Sequence, residues 1–136
     1  MINSIYGINV AVKNLDAAIA RYEGVFGVKA ERLGAQDFAF AGLIGAKLNV
    51  SGFFITLVGA SSDETSVAKF LERRGEGLFL LSVRTDAIEK DTKALEAQGL
   101  RFILDRPATG DFGAVNFVHP KSMHGVQLEM FQPGER

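Results

Sequence analysis

Cysteine is absent from the 136-residue chain, which excludes disulfides, thiolate nucleophiles, iron-sulfur clusters and cysteine-ligated zinc. Histidine is scarce: His119 and His124 both lie in the stretch HPKSMH, so any imidazole chemistry is confined there. Neither sign of charge is in excess. With 15 Lys plus Arg against 16 Asp plus Glu the net charge is -1, which leaves no electrostatic footprint for a polyanion, and no nucleic-acid partner is expected. Long apolar runs are missing too, since nothing approaches the roughly 20 residues of a membrane span. The N-terminal MINSIYGINVAVKNLD has no basic start followed by a long apolar segment. No membrane partner and a cytoplasmic location are therefore expected. The glycine-containing pieces GAQ, GLIGAK and RRGEGL have neither the lysine-serine pair of a phosphate loop nor dinucleotide spacing, and read as turns.

What is present is a globular composition, 47% hydrophobic and 23% charged, of a length that suits one domain. SIYGINVAV reads as a strand and NLDAAIARYEGVFGV as a helix, with Asn14 or Asp16 as cap and Leu15, Ala18, Ile19 and Tyr22 on one face. AERLGAQ, DFAFAGLIG and GFFITLVG are short apolar runs broken by glycine, as strands joined by turns are. SSDETSVAKFLERRGEG predicts a linking helix with Ser61 or Ser62 as cap, acids in its first turn, two arginines in its last and Gly75 as its stop. LFLLSVRT is then a strand and DAIEKDTKALEAQG a helix, its buried edge read as Ile88, Thr92, Leu95 and Ala97 or Gln98. LRFIL, AVNFVH and GVQLEMFQ read as three further strands.

The order β-α-β-β-β thus occurs twice, and an offset of 73 residues places Leu80 on Gly7, Ile88 on Leu15 and Leu128-Glu129-Met130-Phe131 on Ile55-Thr56-Leu57-Val58. The prediction is an α+β fold of two βαβββ modules, about 1–60 and about 76–133, joined by a linker helix over about 61–75 within a single domain, 1–136. Two such modules with curved mixed sheets would enclose a shared cleft, a usual place for a ligand.

DETSVAKFLERRGEGL, the piece ending EAQGLRFI, and NFVHPKSMHGVQLEMFQ carry a family resemblance over most of residues 52–132, and INVAVKNLDAAIARYEGVFGV carries it more loosely. The chain resembles the vicinal oxygen chelate superfamily of glyoxalases, ring-cleaving dioxygenases and bleomycin resistance proteins, and within it the methylmalonyl-CoA epimerases. The resemblance implies a homodimer and a divalent metal held by the first and last strand of each module. Those positions fall on Gly7, Thr56, Leu80 and Glu129; where the epimerase-like text reads GEGLHH this chain has GEGLFLL, so Phe79 and Leu80 replace both histidines. Three of the four ligands are missing, and no metal cofactor is expected. The resemblance also implies two acid-base residues, one aligning with Glu129 and the other, counted back without gaps from Thr56, falling on Ala39.

Glu129 is thus the candidate catalytic residue. Either it is a general acid or base whose pKa is raised by Leu80, Phe54 and Phe131, or it is a surviving acid paired with Arg84 or a buried water. Asn9 and Ser82 sit at matching places and, with Thr56, either line a ligand site or satisfy one another. Phe79 and Leu80 make the site greasier than a metal site, and Lys121, in the HPKS turn, is a candidate for steering an anionic ligand such as a CoA phosphate. The leading expectation is an epimerase-like protein that binds or transforms a small organic or acyl-thioester ligand without metal. If it is an enzyme, it is an isomerase or lyase with Glu129 as acid/base. The alternatives are a metal-dependent epimerase or glyoxalase-type lyase with ligands drawn from elsewhere, and a non-catalytic small-molecule binding or resistance protein.

Overall fold

The computed structural model describes residues 2–134. Their order is β1 (Ser4–Ala11), α1 (Leu15–Phe26), β2 (Glu31–Leu33), β3 (Leu43–Val50), β4 (Phe53–Ala60), α2 (Ser66–Arg74), β5 (Gly77–Arg84), α3 (Ile88–Ala97), β6 (Ala108–Gly110), β7 (Gly113–Val118) and β8 (Leu128–Pro133), with 3-10 turns at Ala35–Asp37 and Pro120–Met123. The expected α+β class is borne out: βαβββ occurs twice, with α2 between the copies. Among the described residues no helix is long and apolar enough to cross a membrane. The chain divides into two compact units, one of Gly7–Phe79 and the other of Leu80 onward together with the residues through Tyr6.

In the Gly7–Phe79 unit the strands lie in the order β2-β3-β4-β1. β3 is antiparallel to both its neighbours, and β1 is parallel to β4. Asn14 starts α1 by accepting the Ala17 N–H at 3.0 Å, and Gly27, in the left-handed region at φ 68°, stops it. Leu15 and Ile19 of α1 pack on Val10, Ala46, Leu48, Ile55 and Leu57, which alternate along their strands and so define one face of this half-sheet. Residues between them face the other way. There Ala11 and Val58 meet Val67 of α2, flanked by Phe38, Phe70 and Phe79.

Two expectations for this unit are corrected. Thr65, not Ser61 or Ser62, caps α2, accepting the Ala68 N–H at 3.1 Å. Ser62 acts one turn earlier, its hydroxyl taking the Glu64 N–H, so Asp63 and Glu64 precede the helix and do not fill its first turn. DFAFAGLIG is not a strand along its length, because Asp37 folds back to accept the Gly34 N–H and Phe38 is drawn into the apolar cluster. β3 begins at Leu43 and runs on to Val50. The turn at Ser51 and Gly52, with φ 53° and 89°, has the two left-handed residues of a tight hairpin and fixes Val50 opposite Phe53.

The second unit has the order β5-β8-β7-β6, with β5 parallel to β8 and the remaining pairs antiparallel. Its core joins Val83, Val118, Leu128 and Met130 to Ile88 and Leu95 of α3. The first residues of the chain belong here: the Asn3 N–H donates to the Arg84 carbonyl at 2.9 Å, and the Tyr6 ring stands edge-on to Phe131 at 4.9 Å. The buried edge of α3 runs through Ile88, Asp91 and Leu95, while Ala97 and Gln98 are exposed, which corrects the expected edge. The helical period places Ile88 and Asp91 on one side. Asp91 is tolerated there, 2% exposed, because the Thr85 hydroxyl donates to its carboxylate.

LRFIL is a further correction. Only Phe102 forms a bridge, to Val118, and the third strand of this module is β6. The physical reason is Asn116, 1% exposed, whose side chain accepts the Leu104 N–H at 3.1 Å and donates to the Leu104 carbonyl at 3.0 Å. A side chain thus replaces the next rung of the ladder, and its buried amide is paired in doing so.

Candidate functional site

The repeat is exact in register. Ile8, Asn9, Val10 and Ala11 pair with Ile55, Thr56, Leu57 and Val58, and the residues 73 positions later, Leu81, Ser82, Val83 and Arg84, pair with Leu128, Glu129, Met130 and Phe131. Each half-sheet therefore carries an equivalent cross-strand row on the face turned away from its helix. In the second unit this row is Ser82, Glu129 and Phe117. In the Gly7–Phe79 unit it is Asn9, Thr56 and Lys47, continuing to Glu31 on β2.

Glu129 is half-buried, and its row partner Ser82 is 1% exposed. The Ser82 hydroxyl donates to Glu129 Oε1 at 2.6 Å, a short charge-assisted bond. Leu80 and Phe117, on the same face, are buried, so the carboxylate stands among groups that offer it no solvation. Burial pushes the Glu129 carboxyl above its ordinary value, and the Ser82 bond opposes the rise without cancelling it. Arg84 is turned elsewhere: its guanidinium lies 3.6 Å from Asp86, with both side chains largely exposed.

In the other row, Asn9, Thr56 and Lys47 are all half-buried. Lys47 Nζ lies 4.9 Å from the centre of the Phe54 ring, a cation-π distance. Ala39, reached by counting back from Thr56 without gaps, lies in the bend before β3; the residue paired with Thr56 is Lys47. The sequence held a signal for this. Taking Ser51-Gly52 as the hairpin turn and counting outward puts Lys47 opposite Thr56.

The remaining candidates are distributed between the units. Phe79 packs edge-on against Phe70, with ring centres 5.2 Å apart, in the apolar cluster with Val58 and Val67. Lys121 is exposed on the 3-10 turn, where its N–H donates to His119 Nδ1 at 3.1 Å, and His124 closes that turn in the left-handed region. An open pocket of about 740 Å³ at the start of α3, lined by Ile88, Lys90, Lys93 and Gln132 among others, includes none of these residues.

Of the positions that the resemblance gives to metal ligands, Leu80 has no donor atom, Thr56 offers a neutral hydroxyl and Glu129 a carboxylate. Gly7 is closed to any side chain: a Cβ there would lie 1.7 Å from the Phe54 carbonyl oxygen. Among the described residues no group of three or more His, Cys, Asp or Glu side chains is placed to hold a metal ion.

The sequence profile of the Glyoxalase/Bleomycin resistance protein/Dioxygenase superfamily matches residues 7–118, and the chain belongs to that superfamily. A mitochondrial methylmalonyl-CoA epimerase of Dictyostelium discoideum is 29% identical over 136 residues, covering 95% of this chain and 78% of the relative. The crystal structure of methylmalonyl-CoA epimerase from Mycobacterium tuberculosis superposes with a TM-score of 0.88 at 28% identity, over 98% of this chain and 90% of that one. A methylmalonyl-CoA epimerase in complex with methylmalonyl-CoA and NH4+ superposes with a TM-score of 0.87 at 25% identity, over 98% and 96%. The chain is thus methylmalonyl-CoA epimerase-like in sequence and fold.

Proposed function

We propose that this protein binds a small acyl thioester or related organic ligand, as a homodimer, and moves a proton at the ligand's α-carbon with Glu129, without a divalent metal. The single observation that carries the reading is the Ser82–Glu129 pair: one carboxylate, held by one buried hydroxyl, in an otherwise apolar row. A carboxylate whose pKa is raised by desolvation is a stronger base than one in water and is still ionised once the pH exceeds that pKa. The Ser82 hydroxyl fixes Oε1 and leaves Oε2 to take the proton. The same hydroxyl limits the pKa rise, so the acid can both accept a proton and return it.

The acyl-CoA complexes of structural relatives support the ligand class. The metal-free part of the proposal rests on the donor set. Gly7 and Leu80 supply no donor, and a four-ligand divalent site built on these positions has one carboxylate and one hydroxyl to work with. These residues do not fit the family's metal, and no step is assigned to one.

The test is solvent-deuterium exchange at the α-carbon of methylmalonyl-CoA, followed by NMR with the purified, chelator-treated protein. Exchange is expected for the wild type and should fall by a factor of about 10²–10⁴ in E129Q. Exchange of equal rate in E129Q removes Glu129 from the chemistry. Exchange that requires added divalent metal contradicts the metal-free reading.

A further inference from the structure

The row that carries Glu129 extends past β7 to the edge segment beyond it. Phe102 bridges to Val118, and the Ile103 N–H donates to the Phe117 carbonyl at 2.7 Å, so Ile103 lies opposite Phe117 as Phe117 lies opposite Glu129. Phe102 packs into the α3 core, which turns Ile103 to the other face, the one of Phe117, Glu129 and Ser82. Exposure falls from 50% at Ile103 to 9% at Phe117. The edge segment is thus the outer wall of the carboxylate's apolar surroundings. The nearest ionisable positions along the flanking strands are Arg84 on β5, which is turned to Asp86 at 3.6 Å, and His119 just after β7, whose Nδ1 accepts the Lys121 N–H.

That wall is weak by construction. From Phe102 to Ala108 the edge advances six residues, while its partners on β7, Val118 and Val115, are three apart. The extra residues bulge, and a bulge removes rungs from the ladder. Asn116 stands opposite the gap, on the α3 side of the sheet with Ala114 and Val118. Its Oδ1 accepts the Leu104 N–H at 3.1 Å and the Phe117 N–H at 2.8 Å, and its Nδ2 donates to the Leu104 carbonyl at 3.0 Å. At 1% exposure the amide makes these bonds with little competition from water. One side chain therefore ties the residue after Ile103 to the backbone of the residue opposite Glu129. Were it to let go, Phe117 would become the edge, and the water front would advance by one strand spacing, roughly 4.8 Å, toward the carboxylate.

We infer that Asn116 is a positioning residue for Glu129: it braces the bulged edge against β7 and keeps the Phe117 side of the row closed to water. This deepens the proposed function and rests on it for the role of Glu129 alone, since the brace acts on the carboxylate's surroundings from the far side of the sheet.

The test is a carbon-detected NMR titration of the Glu129 carboxyl in N116A, paired with amide hydrogen exchange. Exchange at the Ile103 amide should accelerate at least about tenfold in N116A as the brace's hydrogen bonds are lost. The Glu129 midpoint, which burial raises in the wild type, should fall toward the ordinary glutamate value. L95A supplies the control. Leu95, 8% exposed, packs in the same core from α3, so its truncation destabilises the unit without touching the edge and should leave the midpoint unmoved. N116S, which keeps a polar acceptor, stands in if N116A does not fold, judged by circular dichroism, and should move the midpoint the same way by less. A midpoint unmoved by either Asn116 variant, or an equal fall in L95A, overturns the assignment. The titration needs no ligand, so the brace can fail while proton exchange by Glu129 stands, and the brace can hold around a carboxylate that exchanges nothing.

Discussion

The two modules share a backbone plan and differ in what they hang on it. At the same register position, one half-sheet carries Asn9, Thr56 and Lys47 and the other Ser82, Glu129 and Phe117. The first row ends on a cation and has two neutral hydrogen-bonding groups. The second has one acid, one hydroxyl bonded to it at 2.6 Å, and an aromatic ring. A repeat preserved to the residue in its pairing has thus diverged in charge on the face away from the helix, while the positions that pack against the helix stay apolar in both modules. The first-strand positions one step away from these polar residues diverge further. Leu80 is 5% exposed and fills space with carbon, while Gly7 admits nothing because β4 runs too close.

That last difference predicts the largest effect on stability. Gly7→Ala drives a methyl into the Phe54 carbonyl and should cost about 3 kcal/mol, read as a shift in the urea midpoint. A tolerated alanine would mean that the close approach of β4 does not keep Gly7 bare, and the contrast between the modules would lose its physical cause.

A second comparison lies inside the Leu80-onward unit, where two acids are shifted in opposite directions. The Thr85 hydroxyl holds the Asp91 carboxyl below its ordinary value, against desolvation, whereas desolvation pushes Glu129 up, against Ser82. An acid with a lowered folded pKa contributes stability that is present above its unfolded pKa and lost as pH falls through the folded value. D91N should therefore be less stable than the wild type at neutral pH, by about 1 kcal/mol for replacing a charge-assisted bond with a neutral one, and the deficit should close in acid. Glu129 behaves in reverse: its neutral form suits the fold, and stability is lost as pH rises through its folded pKa. E129Q should thus raise the melting temperature at neutral pH, a smaller effect that vanishes below the unfolded pKa. Parallel pH-melting curves of both variants check the pair, and curves that bend the same way would break the contrast.

Much of this was written in the sequence. The offset of 73 residues found in the residue text reappears as identical pairing of β1 with β4 and of β5 with β8, because a strand register set by alternating burial leaves its period in the sequence. Glu129 was visible as an acid among apolar neighbours. Lys47 was not, since an ungapped count ignores where a hairpin turns, and it is the turn at Ser51-Gly52 that sets the register. Asp91 escaped because a helical acid is exposed by default, and only the fold brings Thr85 to it. Asn116 was hidden inside a strand pattern whose rung it interrupts.

The measurement that bears most directly on the account is a carbon-detected NMR titration of the Glu129 side-chain carboxyl, in the wild type and in S82A. The account predicts a midpoint above the ordinary glutamate value of about 4.3 in the wild type, moving further up in S82A as the opposing hydrogen bond is lost. A wild-type midpoint near that ordinary value, unmoved by S82A, would contradict it.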